Sequence, residues 1–151
     1  MRYIPISALI LCALAAQAIP QKNAASAAPQ KTAAREFPCK TPENASICYW
    51  THGRLRVGNG DPSLRMWKVG TKRILGILSG PNAYRRDPLD NEHPELPANL
   101  ERVYETIAQT GQDHVFYQVF GDFEVCPLEP EHPGWMQAVC IESAKNIVVG
   151  K

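Results

Sequence analysis

The sequence lacks the short motifs that usually indicate an enzyme. It contains no Gly-x-Ser-x-Gly nucleophile turn, no His-Glu-x-x-His zinc motif and no glycine-rich phosphate loop. It also contains no Cys-x-x-Cys pair, which removes the usual signature of thioredoxin-like redox proteins and of haem attachment. Because no local catalytic signal is present, we expect no enzymatic activity, no cofactor and no metal site.

An excess of charge of either sign is also absent. The chain carries 16 Lys and Arg side chains against 15 Asp and Glu, for a net charge of +1. A dedicated nucleic-acid protein is usually strongly basic, so we expect no nucleic-acid partner. The charges are nevertheless segregated, since residues 52–86 hold eight basic side chains and one acid, whereas residues 87–131 hold eleven acids and one Arg. This division indicates either a dipolar surface that orients a partner or two faces whose charges meet across the fold.

A long apolar run occurs only at the N-terminus. Arg2 precedes the apolar residues 4–16, and Ala16-Gln17-Ala18 has the small-x-small pattern that signal peptidase cuts. The run is shorter than the ~20 residues that a permanent transmembrane helix needs. We therefore predict a signal peptide over residues 1–18, a periplasmic or secreted location, and a mature protein without a transmembrane segment.

Export decides how the cysteines are interpreted. Cys12 lies in the leader, and four cysteines remain after processing: Cys39, Cys48, Cys126 and Cys140. An even number of cysteines in a small exported domain indicates two disulfides, for which three pairings are possible. We favour Cys39–Cys48, ahead of the first strand, and Cys126–Cys140, across a late hairpin.

Composition and apolar periodicity define the organisation of the remaining chain. Residues 19–38 are rich in Ala, Gln, Lys and Pro and are interpreted as a disordered tether, which leaves one folded domain over residues 39–151. Alternation with a period of two predicts strands, and spacing of i, i+3, i+4 and i+7 predicts a helix. The predicted elements are strands at 47–57, 63–69 and 73–78, a helix at 97–109, and strands at 114–126 and 134–149.

The order of these elements is β-β-β-α-β-β. Five strands with one helix after the third are typical of an OB-like Greek-key barrel, which is the fold that we predict. An open α+β sheet is the alternative, since element order does not prove closure. Gly53, in the middle of the first strand, indicates a bulge or a sharp bend, and Asn59-Gly60 predicts a hairpin turn.

The outward face of the first predicted hairpin combines basic and aromatic side chains. A turn centred on Asn59-Gly60 places His52 opposite Trp67 and Arg54 opposite Arg65. Like charges that oppose one another across strands are unfavourable unless a negative or planar group lies between them. Aromatic rings beside cations suit an anionic polymer. The candidate binding residues are Trp50, His52, Arg54, Arg56, Arg65 and Trp67.

Two other interpretations of this region remain open. In the first interpretation, the arginines of this face pair with acids of the second half of the chain, such as Asp122 and Glu124. Asp122 and Glu124 are also two residues apart on one predicted strand, so they would share a face and could divide acid and base roles, with a histidine, in a small periplasmic hydrolase. For the protein as a whole, a purely structural envelope protein is a further possibility.

His93, His114 and His132 lie beside acids but share no spacing typical of metal ligands.

Two segments carry a resemblance to known sequences. GRLRVGNGDPSLRMWKVGTKRILGIL, at residues 53–78, and VFGDFEVCPLEPEHPGWMQAVCIESAKN, at residues 119–146, resemble small, signal-peptide-bearing proteins of Gram-negative bacteria, a group that is itself uncharacterised. The resemblance covers about residues 47–149. It implies export and a single compact domain, and it transfers no catalytic residue. The resulting hypothesis is an exported binding domain that contacts an anionic envelope polymer or a protein partner.

Overall fold

The computed structural model describes residues 35–111 and 113–151. The predicted signal peptide at residues 1–18 and residues 19–34 of the predicted tether lie outside the described residues. Packing is already present at Phe37, whose side chain is buried. The backbone N–H of Phe37 donates a hydrogen bond to Glu95 Oε2 at 3.0 Å. The described chain is therefore anchored to the folded domain from its first residues.

Five strands and one long helix form the described domain. The strands are β1 (Tyr49–Val57), β2 (Leu64–Lys68), β3 (Ile74–Ile77), β4 (Gln118–Pro127) and β5 (Gln137–Gly150), and the helices are α1 (Ala83–Arg86) and α2 (Ala98–Gln109). All five predicted strands and the predicted helix are thus found. Among residues 35–111 and 113–151, no helix has the length and apolarity that crossing a bilayer requires.

The fourth strand begins later than predicted. Residues His114–Phe116 form a 3-10 turn, and β4 starts at Gln118. The cause is Asp113, whose Oδ1 accepts the N–H of Val115 at 3.1 Å and whose carbonyl accepts the N–H of Phe116. This local hydrogen bonding gives the backbone an alternative to the sheet ladder.

The strands close into a barrel in the order β1-β2-β3-β5-β4. β1 pairs with β2 through residues 53–57 and with β4 through residues 49–55, so the sheet has no free edge along β1. β3 and β5 are parallel, and the other four pairs are antiparallel. The structure is therefore a small OB-like barrel, as predicted, and the alternative of an open sheet is wrong.

The barrel interior is filled by alternate residues of its strands. Leu55, Met66 and Phe123 are completely buried, and Leu55 is in register with Met66 on β2. Helix α2 adds Leu100 and Ile107, which are two turns apart on one face, to the same cluster. Because inward side chains alternate with outward ones, this core determines which residues of β1 and β2 face solvent.

Gly53 does not form the expected bulge. It lies in regular register with Lys68 and Gly121, whereas the register shifts occur between β4 and β5. A Cβ atom at Gly53 would lie 2.7 Å from Met66 Cγ and 3.1 Å from a ring carbon of Phe123. The glycine is therefore required because core side chains pass directly over its backbone.

Two disulfides join the segment before β1 to the β4–β5 pair. They are Cys39–Cys140 and Cys48–Cys126, so the predicted pairing of Cys39 with Cys48 and of Cys126 with Cys140 is wrong. Cys126 and Cys140 are in fact register partners on adjacent strands. The N-terminal segment crosses this pair and brings one cysteine against each strand, with Cα–Cα distances of 5.6 and 4.1 Å.

Candidate binding face

The six predicted binding residues lie together on the outside of the barrel. Trp50, His52, Arg54 and Arg56 alternate with inward residues along β1, and Arg65 and Trp67 do so along the neighbouring β2. We call this surface, defined by those six residues, the β1–β2 face. Its existence follows from the period of two in both strands, which the buried Leu55 and Met66 fix.

The predicted register across this face is wrong by two residues. Arg54 pairs with Trp67, and Arg56 pairs with Arg65. The pairing of Val57 with Leu64 centres the hairpin loop between Gly60 and Asp61, one residue later than predicted. The loop is closed by a hydrogen bond from the N–H of Gly58 to the carbonyl of Ser63, so it is longer than a two-residue turn at Asn59-Gly60.

The true register stacks an arginine on a tryptophan. The Arg54 guanidinium carbon lies 5.0 Å from the centroid of the Trp67 ring, which is a cation–π contact. Arg54 forms no ion pair with any carboxylate of the described residues, and its Nε is buried without a hydrogen-bond partner. The ring therefore orients a guanidinium group whose charge is not neutralised.

Arg65 and Arg56 avoid repelling each other because Arg65 turns towards the loop. Its Nε donates to the carbonyl of Pro62 and its NH2 group to the carbonyl of Asn59, both at 3.0 Å. Arg56 is exposed. Neither arginine has a carboxylate partner within the part of the chain that the structure describes.

The acids next to the face are engaged by other residues. Asp122 Oδ2 accepts a hydrogen bond from Asn146 Nδ2 at 2.7 Å, and Asp122 Oδ1 lies 2.9 Å from His52 Nδ1. These two hydrogen bonds, that of Asn146 foremost, lower the pKa of Asp122. Lys40 Nζ lies 2.6 Å from Glu124 Oε1, and this hydrogen bond raises the pKa of Lys40. The interpretation that the arginines pair with Asp122 and Glu124 is therefore wrong.

A second cation–π contact extends the face onto β5. Trp50 is 46% exposed, and Lys145 Nζ lies 4.1 Å from the centroid of its ring. The sequence reasoning missed Lys145, which reaches Trp50 from two strands away. It also missed Phe120, the β4 residue in register with Arg54. Phe120 could have been found by alternation, since it is two residues before Asp122, but Lys145 follows a register shift in β5 that alternation cannot predict.

The histidines lie at different places. His93 lines two neighbouring clefts of about 300 and 680 Å³, together with Glu92 and Val57. His132 is exposed in the β4–β5 loop. In the described residues, the one group with metal-ligand geometry is formed by the sulfurs of Cys39, Cys126 and Cys140, and all three belong to disulfides. A disulfide offers no thiolate, so this group is a consequence of how closely the two bonds pack.

Comparison with known proteins finds no family model, no curated protein and no solved structure that matches this chain. The functional interpretation therefore depends on the geometry described above.

Proposed function

We propose that this protein is an exported binding domain whose β1–β2 face contacts an anionic polymer of the cell envelope. The observation that carries the proposal is that Arg54, Arg56 and Arg65 share one outer face and have no carboxylate partner among the described residues. Trp50 and Trp67 supply ring surfaces beside these charges. Closely spaced cations attract a polyanion more strongly than a single charge does, because their potentials add.

The disulfides support the exported location. Disulfides persist in oxidising compartments such as the periplasm and are rare in the cytosol of most organisms. Two such bonds hold the N-terminal segment to the barrel. They agree with the leader predicted at residues 1–18 and with the resemblance to exported Gram-negative proteins, both of which form part of this proposal.

The contacts favour this proposal over the alternative of a hydrolase. Asp122 and Glu124 face outward in pairs with His52 and Lys40, and neither carboxylate lines the clefts around His93. A general acid or base needs a substrate pocket within hydrogen-bond reach. A purely structural role accounts for Arg65, which hydrogen-bonds the loop, but it does not account for Arg56, which is exposed and has no carboxylate partner among the described residues.

The test uses the oxidised mature protein and two charge-matched double variants. Arg54→Gln with Arg56→Gln removes two cations from the face and spares Arg65, whose hydrogen bonds hold the loop. Lys72→Gln with Arg102→Gln removes two exposed cations elsewhere. Binding to immobilised lipopolysaccharide and to heparin is measured at several salt concentrations.

Each exposed contact is worth up to about 1 kcal/mol, so the first double variant should bind on the order of tenfold more weakly at low salt. The difference should shrink as salt screens the charges. The second double variant should bind like the wild-type protein. Equal affinity of the wild-type protein and the Arg54/Arg56 variant, or equal weakening in both variants, would refute the proposal.

A further inference from the structure

A further cleft, of about 430 Å³, lies beside the β3–β5 pair and shares Asp61 and Asn91 with the 680 Å³ cleft near His93. It is bordered by the β1–β2 loop, the connection from β3 to α2, and the β4–β5 loop. None of the six residues of the β1–β2 face lines it. Its volume falls within the range of small-molecule sites in proteins.

The floor of this cleft is made of small and apolar residues. Gly76 and Ala138 are direct partners in the β3–β5 pair. A Cβ atom at Gly76 would lie 2.6 Å from Pro62 Cγ and 3.4 Å from Met136 Cε. Glycine therefore lets Pro62 and Met136 pack close to the sheet, and the floor presents an apolar surface.

Two aromatic rings border this floor and are largely uncovered. Trp135 is 77% exposed and Tyr84 is 52% exposed. Trp135 directly follows Gly134, which has a φ of 81°, and Tyr84 lies in α1, whose N-cap residue Asn82 has a φ of 62°. Large exposed aromatic surfaces of this kind are typical of binding sites.

The polar side chains of the cleft include two carboxylates, which accept hydrogen bonds, and one amide, which both accepts and donates them. Asp61, Asn91 and Glu129 line it, and no Lys, Arg or His does. Glu129 is fixed in place, because its Oε1 accepts the N–H of Ala138 at 2.9 Å. The Asp61 carboxylate has no ion pair or side-chain hydrogen bond with any described residue. Two carboxylates without a neighbouring cation repel an anionic ligand, and their oxygens can accept hydrogen bonds from the hydroxyl groups of an uncharged one.

We propose that this cleft binds an uncharged sugar ring of a glycan. The C–H faces of a pyranose are apolar and flat enough to pack against Trp135 and Tyr84, while its hydroxyl groups donate to Asp61, Asn91 and Glu129. A nucleobase would also stack on the rings, but the phosphates that accompany it would face the two carboxylates. The cleft depends on different residues from the β1–β2 face, so it is an independent site.

The test follows the indole N–H of Trp135 by heteronuclear NMR. The protein has three tryptophans, and Trp135→Phe identifies which indole resonance belongs to Trp135. The oxidised mature protein is titrated with cellohexaose, maltohexaose and chitohexaose, and separately with oligothymidylate. We expect at least one of the three hexasaccharides to shift the Trp135 resonance saturably at millimolar concentration or below, while the Trp67 resonance stays in place.

Calorimetry on matched variants then assigns the binding to the cleft. Both Trp135→Ala and Tyr84→Ala should weaken binding of the active hexasaccharide about tenfold, because each substitution removes one of the two rings against which the sugar packs. Phe116→Ala removes another exposed aromatic ring, 68% exposed, that does not line the cleft, and it should bind like the wild-type protein.

Three outcomes would overturn the proposal. They are the absence of a Trp135 shift with every hexasaccharide, binding of oligothymidylate alone, and affinity that is unchanged in Trp135→Ala. The Arg54/Arg56 double variant should bind the hexasaccharide normally. Loss of sugar binding in that variant would also contradict an independent site, whereas failure of the polyanion test alone leaves the cleft unaffected.

Discussion

Two hydrogen bonds to the Asp122 carboxylate make the free energy of unfolding depend on pH. The donors Asn146 and His52 hold the ionised form, and so they lower the pKa of Asp122 in the folded protein. A group whose folded pKa is depressed stabilises the fold above its unfolded pKa, which is about 3.9 for Asp. That contribution is lost as pH falls through the lower, folded pKa.

Replacing this carboxyl group should therefore change how the free energy of unfolding varies with pH under acid conditions. We expect Asp122→Asn to have a lower free energy of unfolding than the wild-type protein at neutral pH. The two proteins should begin to converge as pH falls below the unfolded pKa of about 3.9, and they should meet below the lower, folded pKa, where Asp122 is protonated in both states. Urea unfolding at a series of pH values measures the difference. Glu105→Gln, at an exposed position of α2, is the control and should run parallel to the wild-type protein; a parallel curve for Asp122→Asn would contradict the assignment.

At the scale of single elements, the sequence specifies faces better than it specifies register. The period of two correctly placed all six candidate binding residues outside the barrel, because an inward charge on β1 or β2 would have to enter the core. The pairing of Arg54 with Trp67 could not be predicted, since it depends on where the β1–β2 loop is centred. An error of one residue in a loop centre moves every cross-strand pair by two residues.

Gly53 illustrates a second limit of the same kind. A glycine inside a strand indicates either a bulge or a close contact, and only the position of Met66 distinguishes the two. We predict that Gly53→Ala lowers the free energy of unfolding by about 1–3 kcal/mol, because the new methyl group would overpack against Met66. Chemical denaturation gives the value.

Two further variants make that test specific. Gly58→Ala should be nearly neutral, since a Cβ atom there would meet no atom within 4 Å. Adding Met66→Val to Gly53→Ala should reduce the cost of the alanine, because the shorter side chain leaves room for it. A cost that is the same in both backgrounds would show that Met66 is not the obstacle.

At the scale of the whole molecule, the order of elements was enough to predict the barrel, but it was not enough to predict its cross-links. Short sequence separation favoured Cys39 with Cys48, yet the fold carries these two residues to neighbouring strands of the β4–β5 pair. The cleft with Trp135 and Tyr84 was missed for the same reason, because its walls come from three loops that are distant in sequence. Long-range contacts of this kind depend on the closed topology.

The long-range cross-links also predict how the protein responds to their loss. The Cys48–Cys126 bond spans 78 residues, but while Cys39–Cys140 stays closed the shorter path between Cys48 and Cys126 runs through that bond and is about two dozen residues long. Closing a loop of that size restricts the unfolded chain by about 3 kcal/mol in the chain-entropy model. The double variant Cys48→Ala with Cys126→Ala should lose stability of that order in urea while keeping Cys39–Cys140.

Mass spectrometry of non-reduced peptides checks the connectivity itself. It should recover one peptide pair joined through Cys39 and Cys140 and another joined through Cys48 and Cys126. A peptide in which Cys39 is bonded to Cys48 would contradict the structure, because the N-terminal segment would then no longer be attached to the β4–β5 pair. The double variant separates the two possibilities further: with the described pairing it retains one intramolecular disulfide, whereas with the local pairing it retains none.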